Sequence, residues 1–164
     1  MNKYIQLTKG KTTKVGKKDY NTLSIYKWHT SCWGYAARAT KLINGKRKYE
    51  FMHHYILPKK NGLQIDHING DKLDNRRVNL RYCTELQNHS NVDKRTSNTS
   101  GFKGVYWHKL SKKWGAEIGY KRKRYHLGLF KDKIIAASAY NEAAKKYFGI
   151  FTRLNTLKGG DLIV

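Results

Sequence analysis

Cysteine and proline are nearly absent from this chain: two cysteines and one proline in 164 residues. Cys32 and Cys83 stand 51 positions apart, and neither belongs to a CxxC pair. That spacing excludes a zinc finger, so no structural zinc is expected and both thiols are expected reduced and buried. With one proline and 39% hydrophobic residues the chain can fold, but its cores are modest. No apolar run reaches the length of a membrane span, and the N-terminus lacks the apolar centre of a signal peptide. An intracellular protein is therefore expected, neither secreted nor membrane-bound. Acidic residues are also scarce, 11 against 34 Lys and Arg, for a formal net charge of +23. A compact body with that charge repels itself and implies a polyanionic partner. Counterion release on neutralising phosphates favours nucleic acid. An anionic membrane is disfavoured, since no basic amphipathic helix with a bulky apolar face is visible.

Residues 1–60 read as a basic region of short strands and turns. Lys9 to Lys18 reads as a loop, and Asp19 to Tyr26 as one or two helical turns. A strand is expected over Gly34 to Leu42, then an Asn44-Gly45 hairpin turn, then a returning strand over Lys46 to Leu57. His53 and His54 would lie on that strand facing opposite ways, so they cannot share one site. Trp28, Trp33 and Tyr35 are expected to pack a small core.

The stretch over residues 65–91, IDHINGDKLDNRRVNLRYCTELQNHSN, is too polar for a plain core segment. It reads as a strand to His67, an Asn69-Gly70 turn, a polar loop to Arg77 and a second strand from Asn79 to Cys83. A short helix follows, opened by Thr84 with Gln87 completing a capping box. Asn88 falls just past the first helical turn, where its amide can reach back toward the strand carrying Asp66. A carboxylate from Asp66 and an amide oxygen from Asn88 are hard donors that suit one divalent ion, Mg²⁺ or Mn²⁺. His89 and Asn91 are the other candidates for the second ligand. His67 can accept a proton from an attacking water. The spacing of a helix-loop-helix calcium site is absent. Arg76, Arg77 and Arg81 read as phosphate contacts.

These residues resemble the ββα-metal core of HNH nucleases, in particular the homing endonucleases of phages. The resemblance rests on Asp66-His67-Ile68-Asn69-Gly70-Asp71, Leu73-Asp74-Asn75-Arg76-Arg77, Asn79-Leu80-Arg81 and Gln87-Asn88. It implies that His67 is the general base and that Asn79, twelve positions on, braces the loop and orients His67. It also implies that Asp66 is a metal ligand. Asn88 stands where many members carry His, as in a branch of the phage enzymes. Residues 1–60 are similar, less specifically, to the region preceding the motif in such enzymes.

Residues 89–100 form a polar break, with 93–100 as linker, where Lys94 and Arg95 could rest on phosphate. Three strands are expected over Gly104 to Lys109, Lys113 to Tyr120 and Lys123 to Phe130. Alternation puts Val105, Trp107, Trp114, Ala116, Ile118, Tyr125, Leu127 and Leu129 on a core face. It puts Tyr106, His108, Glu117, Arg124 and His126 on a polar one. Asp132 should cap a helix ending near Phe148 before Gly149, with Ala136, Tyr140, Ala143 and Tyr147 on its buried stripe. The polar face, with Tyr106, His108, Lys121, Arg122, Arg124 and His126, reads as a DNA-binding surface suited to a major groove. Residues 101–155 resemble the ethylene-response-factor (Apetala-type) DNA-binding domain through Gly101-Phe102-Lys103-Gly104-Val105, Trp114, Ala116-Glu117-Ile118, Leu127-Gly128, Phe130, Ala136-Ala137, Ala139-Tyr140, Ala143-Ala144 and Leu154-Asn155. Tyr106, His108, Gly119 and His126 depart from that family, so its target sequence does not carry over.

The expected architecture is α+β: an N-terminal β-hairpin region (1–60), a ββα-metal core (61–92), and a C-terminal three-stranded antiparallel sheet packed on one helix (101–157), with a tail at 158–164. The resemblances imply a site-specific, metal-dependent DNA endonuclease of the HNH homing type. It would act as a monomer on double-stranded DNA and nick one strand per active site, leaving 5′-phosphate and 3′-hydroxyl ends. If phage-encoded, it would work in the cytoplasm of a bacterial host. The alternative is a non-catalytic, sequence-specific DNA-binding regulator that retains the HNH-like scaffold.

Overall fold

Short antiparallel sheets and a few helices make up the chain, a mixed α and β architecture compatible with the α+β class. The structure, a computed structural model, describes residues 2–43 and 46–157, without the side chains of 41–43 and 46. The expected Asn44-Gly45 turn and the 158–164 tail lie outside the described residues. The chain divides into two compact units, Met1–Glu85 and Leu86–Val164. Among the described residues no helix is long and apolar enough to cross a membrane.

The first unit opens with a hairpin of β1 (Asn2–Gln6) and β2 (Thr12–Gly16), in register from Asn2 opposite Gly16 to Gln6 opposite Thr12. β2 corrects the loop expected over Lys9 to Lys18. Thr13 and Val15 alternate into the core at 1% and 0% exposure, a period-two signal diluted by the surrounding lysines. Helix α1 (Lys17–Ser24) follows and buries Leu23, whose carbonyl accepts a hydrogen bond from Trp28 Nε1 at 2.7 Å. The strands β3 (His29–Thr30), β4 (Ala36–Ile43) and β5 (Lys46–Phe51) form one antiparallel sheet in that order.

After Phe51 the chain turns helical: α2 (Met52–Ile56) replaces the second half of the expected return strand. Met52 and Ile56 are four residues apart and both fully buried, so helical spacing, not alternation, carries this segment into the core. β6 (Gln64–His67) and β7 (Leu80–Cys83) pair antiparallel, with Asp66 opposite Arg81 and His67 opposite Leu80. Helix α3 (Glu85–Ser90) begins at the unit boundary. Ile5, Leu7, Val15, Leu23, Trp28, Ala36, Met52, Ile56 and Leu80 form the core. Of the expected aromatic core, Trp28 is buried, but Trp33 is 64% exposed and only edges against Phe51. Its turn, closed by Gly34 N–H to Ser31 O, carries it out of the core together with Cys32, which is exposed and not buried as expected, whereas Cys83 is buried.

In the second unit β8 (Val105–His108), β9 (Lys113–Tyr120) and β10 (Lys123–Phe130) form an antiparallel sheet with β9 in the middle. Helix α4 (Lys133–Phe148) packs on one face of it. Asp132 caps this helix by accepting from the N–H groups of Ile134 and Ile135. Ala136, Ala137, Tyr140 and Ala144 are buried against the sheet. The expected faces hold up to Leu127, where a register shift between His126 and Gly128 inserts one extra residue. Past this bulge the alternation inverts. Phe130 pairs with Trp114 and packs on the core, while Leu129 pairs with Gly115 on the other face. Leu129 is thereby corrected out of the core set. Trp107, also expected inside, sits across from Trp114 but remains 47% exposed.

Gly104 is the tightest joint of this unit. Its φ is +75°, and a Cβ there would meet the Tyr140 ring at 2.1 Å and the Glu117 carbonyl oxygen at 2.7 Å. Gly104→Ala is expected to destabilise the unit by about 3 kcal/mol or more, through overpacking plus left-handed backbone strain. Urea unfolding followed through Trp107 and Trp114 fluorescence would measure this, and a midpoint equal to wild type would contradict the close approach.

Candidate active site

The end of β6 presents Asp66 and His67, at 5% and 4% exposure. Pairing in the ladder sets Arg81 across from Asp66, and its guanidinium reaches the carboxylate, with Nε at 2.9 Å and Nη2 at 2.7 Å from Oδ2. The loop from Ile68 to Asn79 is tied back by its own amides. Asn79 Nδ2 donates to Asn69 Oδ1 (2.9 Å) and to the Asp74 carbonyl (2.8 Å). Asn79 Oδ1 accepts from Asn69 N–H at 3.0 Å, and the Asn79 carbonyl accepts from Ile68 N–H. These bonds tie Asn79 to Ile68, Asn69 and Asp74 of the loop. Buried Asp74 receives Asn69 Nδ2 at 3.0 Å and a two-pronged ion pair from Arg76 at 2.7 and 2.6 Å. That pair, led by the Arg76 hydrogen bonds, holds the Asp74 carboxyl below its ordinary value.

Strand β2 grips the same loop. Lys14 N–H donates to the Leu73 carbonyl and Asn75 N–H donates to the Lys14 carbonyl, at 2.8 and 2.7 Å. Thr13 Oγ1 lies 2.7 Å from the Leu73 carbonyl, Asn75 Nδ2 lies 2.8 Å from Thr13 Oγ1, and Asn75 Oδ1 lies 3.2 Å from His67 Nε2. This chain of bonds fixes its own protons. A carbonyl only accepts, so Thr13 must donate to Leu73 and accept from the Asn75 amide. Asn75 then turns its oxygen to His67, whose Nε2 carries the hydrogen. In the neutral imidazole the lone pair is left on Nδ1. Burial pushes the His67 imidazole below its ordinary value, against the raising effects of Asn75 and of Asp66, Asp71 and Asp74. The ring is thus neutral at neutral pH, the state in which it can take a proton.

Sequence reasoning missed two neighbours of this ring. Asn75, fully buried, stands among the residues that carry the resemblance but is given no role there, because its partners Thr13 and His67 meet it only in the fold. His53 was hidden by the strand reading. On α2 its ring stands 5.3 Å from His67 and 4.4 Å from His54, and Tyr35 lies 5.7 Å from His67. So His53 and His54 are ring neighbours after all. Burial first, then His54, His67 and Lys59, pushes His53 down to about 3, while burial and Lys59 push His54 down to about 4.

The remaining candidates divide by unit. Arg77 forms an ion pair with Asp19 at 2.7 Å, so Arg76, Arg77 and Arg81 each face a carboxylate. Asn88 is half-buried on α3 and His89 is exposed there, whereas Asn91 is buried just beyond it. Lys94 and Arg95 are exposed, and Lys94 Nζ donates to the Gly101 carbonyl. On the sheet face away from α4, the Tyr106 ring covers Gly115 and its hydroxyl lies 3.5 Å from His126 Nδ1. Arg124 bonds Glu117 there, and His108 Nδ1 accepts from Ser111 N–H. Lys121 and Arg122 form the tight turn into β10 with φ of 48° and 64°.

No group of three or more His, Cys, Asp or Glu side chains is arranged to hold a metal ion among the described residues. A hard cation that draws on phosphate and water oxygens needs fewer protein ligands than that. The donor chemistry fits one: Asp66 brings a carboxylate, and the nearby thiol of Cys83 is pushed up to about 11 by burial and stays protonated.

Residues 51–90 match the model of the HNH endonuclease family, so this part of the chain is an HNH endonuclease domain. Such a domain points to nuclease action on DNA and, generally, to a divalent metal. Among curated proteins the chain is similar to Protein 3.8 of Escherichia phage T7, a distant homologue with 35% identity over 69 residues. The match takes in 42% of this chain and 57% of that protein, so the chain spans little more than half the length of the curated relative it matches. No solved structure matches the chain.

Proposed function

We propose that this protein is a site-specific, metal-dependent DNA endonuclease of the HNH homing type, which nicks one strand of double-stranded DNA as a monomer. The observation that carries the reading is the His67 ring, held by Asn75 with its lone pair on Nδ1, next to Asp66 in a domain of HNH type. His67 Nδ1 takes the proton of the attacking water. Asn79 braces the loop that holds the strand end in place. Asp66 would help hold Mg²⁺ or Mn²⁺, which would supply charge stabilisation at the scissile phosphate and at the leaving 3′ oxygen. Cleavage leaves 5′-phosphate and 3′-hydroxyl ends. The second unit serves as an Apetala-type reading module, laying the Tyr106, His126 and Arg124 face in a major groove, with His108, Lys121 and Arg122 at its margins. Lys94 and Arg95 contact phosphate. Arg76, Arg77 and Arg81 reach phosphate only by sharing or leaving their carboxylates. The cytoplasm of a bacterial host is the setting this reading requires.

A nicking assay on supercoiled plasmid carrying the source genome's DNA tests the proposal. Relaxation with Mg²⁺, its loss with chelator and its loss in Asp66→Asn are the expected results. Tight DNA binding without any relaxation would instead favour the non-catalytic regulator.

A further inference from the structure

We infer that a concavity beside the β1–β2 turn binds a backbone phosphodiester of duplex DNA, forming a grip on the nucleic acid made of different residues from the Asp66–His67 site. The inference rests on the DNA-binding reading but not on the cleavage chemistry. The concavity holds about 500 Å³ and is lined by Thr8, Lys9, Lys11, His29, Thr30 and Ser31. No carboxylate lines it. Of the six carboxylates of the first unit none lines it, and Asp19, Glu50, Asp66 and Asp74 are each paired with an arginine. Among the described residues Lys9 and Lys11 have no carboxylate partner.

The hydroxyls point to the same ligand class. Thr30 Oγ1 is buried and has no hydrogen-bond partner among the described residues. An unmatched buried hydroxyl costs about 1–3 kcal/mol, so the site gains whatever an incoming acceptor supplies. Ser31 Oγ accepts from Tyr35 N–H at 3.1 Å, which leaves its proton to donate onward. Two ammonium groups and a set of hydroxyl donors, with no acid, match an oxyanion carried on a larger group. The volume exceeds one phosphate and admits its flanking sugars, which favours the polymer backbone over the free ion.

The experiment measures affinity of the full chain for a mixed-sequence duplex, in chelator, across about 50–200 mM salt. Lys9→Gln/Lys11→Gln should weaken binding about tenfold, equally for every sequence, and flatten the logarithmic salt slope by about one to two, since each phosphate contact carries about 0.9. Thr30→Val changes no charge and removes the orphaned hydroxyl. It should keep or raise the thermal midpoint while weakening binding about fivefold, as one hydrogen bond to an anion would. Unchanged affinity and slope in both variants would overturn the assignment. So would a thermal shift with inorganic phosphate that both variants lose while duplex binding stays intact, because the concavity would then hold free phosphate. Neither readout uses cleavage, so a chain that binds but never cuts leaves this inference standing and removes only the nuclease reading.

Discussion

Under the proposed function, His67→Ala is expected to remove metal-dependent nicking and to leave DNA affinity unchanged. General-base catalysis by a positioned histidine contributes about 10² to 10⁴ in rate, which puts the variant at or below the detection limit of a plasmid assay. The geometry behind this is the donor chain from Asn75 through Thr13 to the Leu73 carbonyl, which leaves the lone pair on His67 Nδ1. Asn75→Ala keeps the ring but releases its orientation, so its loss should be smaller, about tenfold, and should fall on the turnover rate and not on binding. The two variants also differ in pH response. Burial lowers the His67 value, so in wild type and in Asn75→Ala the rate should be level at neutral pH and fall only below the ordinary histidine range, a fall that His67→Ala should lack. Added imidazole should partly restore His67→Ala, because the space it vacates is walled by the Tyr35 and His53 rings. Nicking that survives intact in His67→Ala would keep the HNH domain and overturn its base.

Much of this site can be read along the chain, because its ladder is local. Asp66, His67, Leu80 and Arg81 face one another across a hairpin-like pair whose loop Asn79 closes on itself, and the polar density of the run announces it. The second unit is legible for the same reason: strict alternation, Asp132 at the cap and Gly149 at the stop describe neighbours in sequence. What failed is what long-range packing decides. Thr13 and Asn75 are 62 positions apart, so nothing local links them. α2 spans only Met52–Ile56, too short for a helical period to show against the aromatic residues around it. A single inserted residue at Leu127 exchanges Leu129 for Phe130, because a period of two has no memory across a bulge. The hidden helix had the largest consequence, since it turned two histidines expected on opposite faces into touching rings.

Those rings should make the first unit acid-labile. His53 is 6% exposed, its Nδ1 has no hydrogen-bond partner among the described residues, and its folded-state value is pushed down to about 3. In the unfolded chain it titrates near 6.5. Between those values the unfolded state binds the proton and the folded state does not, so unfolding is favoured progressively as pH falls from 6.5 toward 3. Above 6.5 both states are neutral there and His53 leaves stability independent of pH. Each pH unit inside the window costs about 1.4 kcal/mol, so two units remove about 3 kcal/mol from a small fold whose whole stability is on the order of 5–15. His54, less buried and pushed to about 4, adds in the same direction. His53→Phe replaces the titrating ring with an apolar one beside Phe51, which already stacks on it with an interplanar angle of 5°. Denaturant unfolding of the first unit should therefore show a steep loss between neutral pH and the acid limb in wild type, and a shallower one in His53→Phe. If the two curves stay parallel, the proton goes elsewhere, and the packed triad of His53, His54 and His67 is not what the acid attacks.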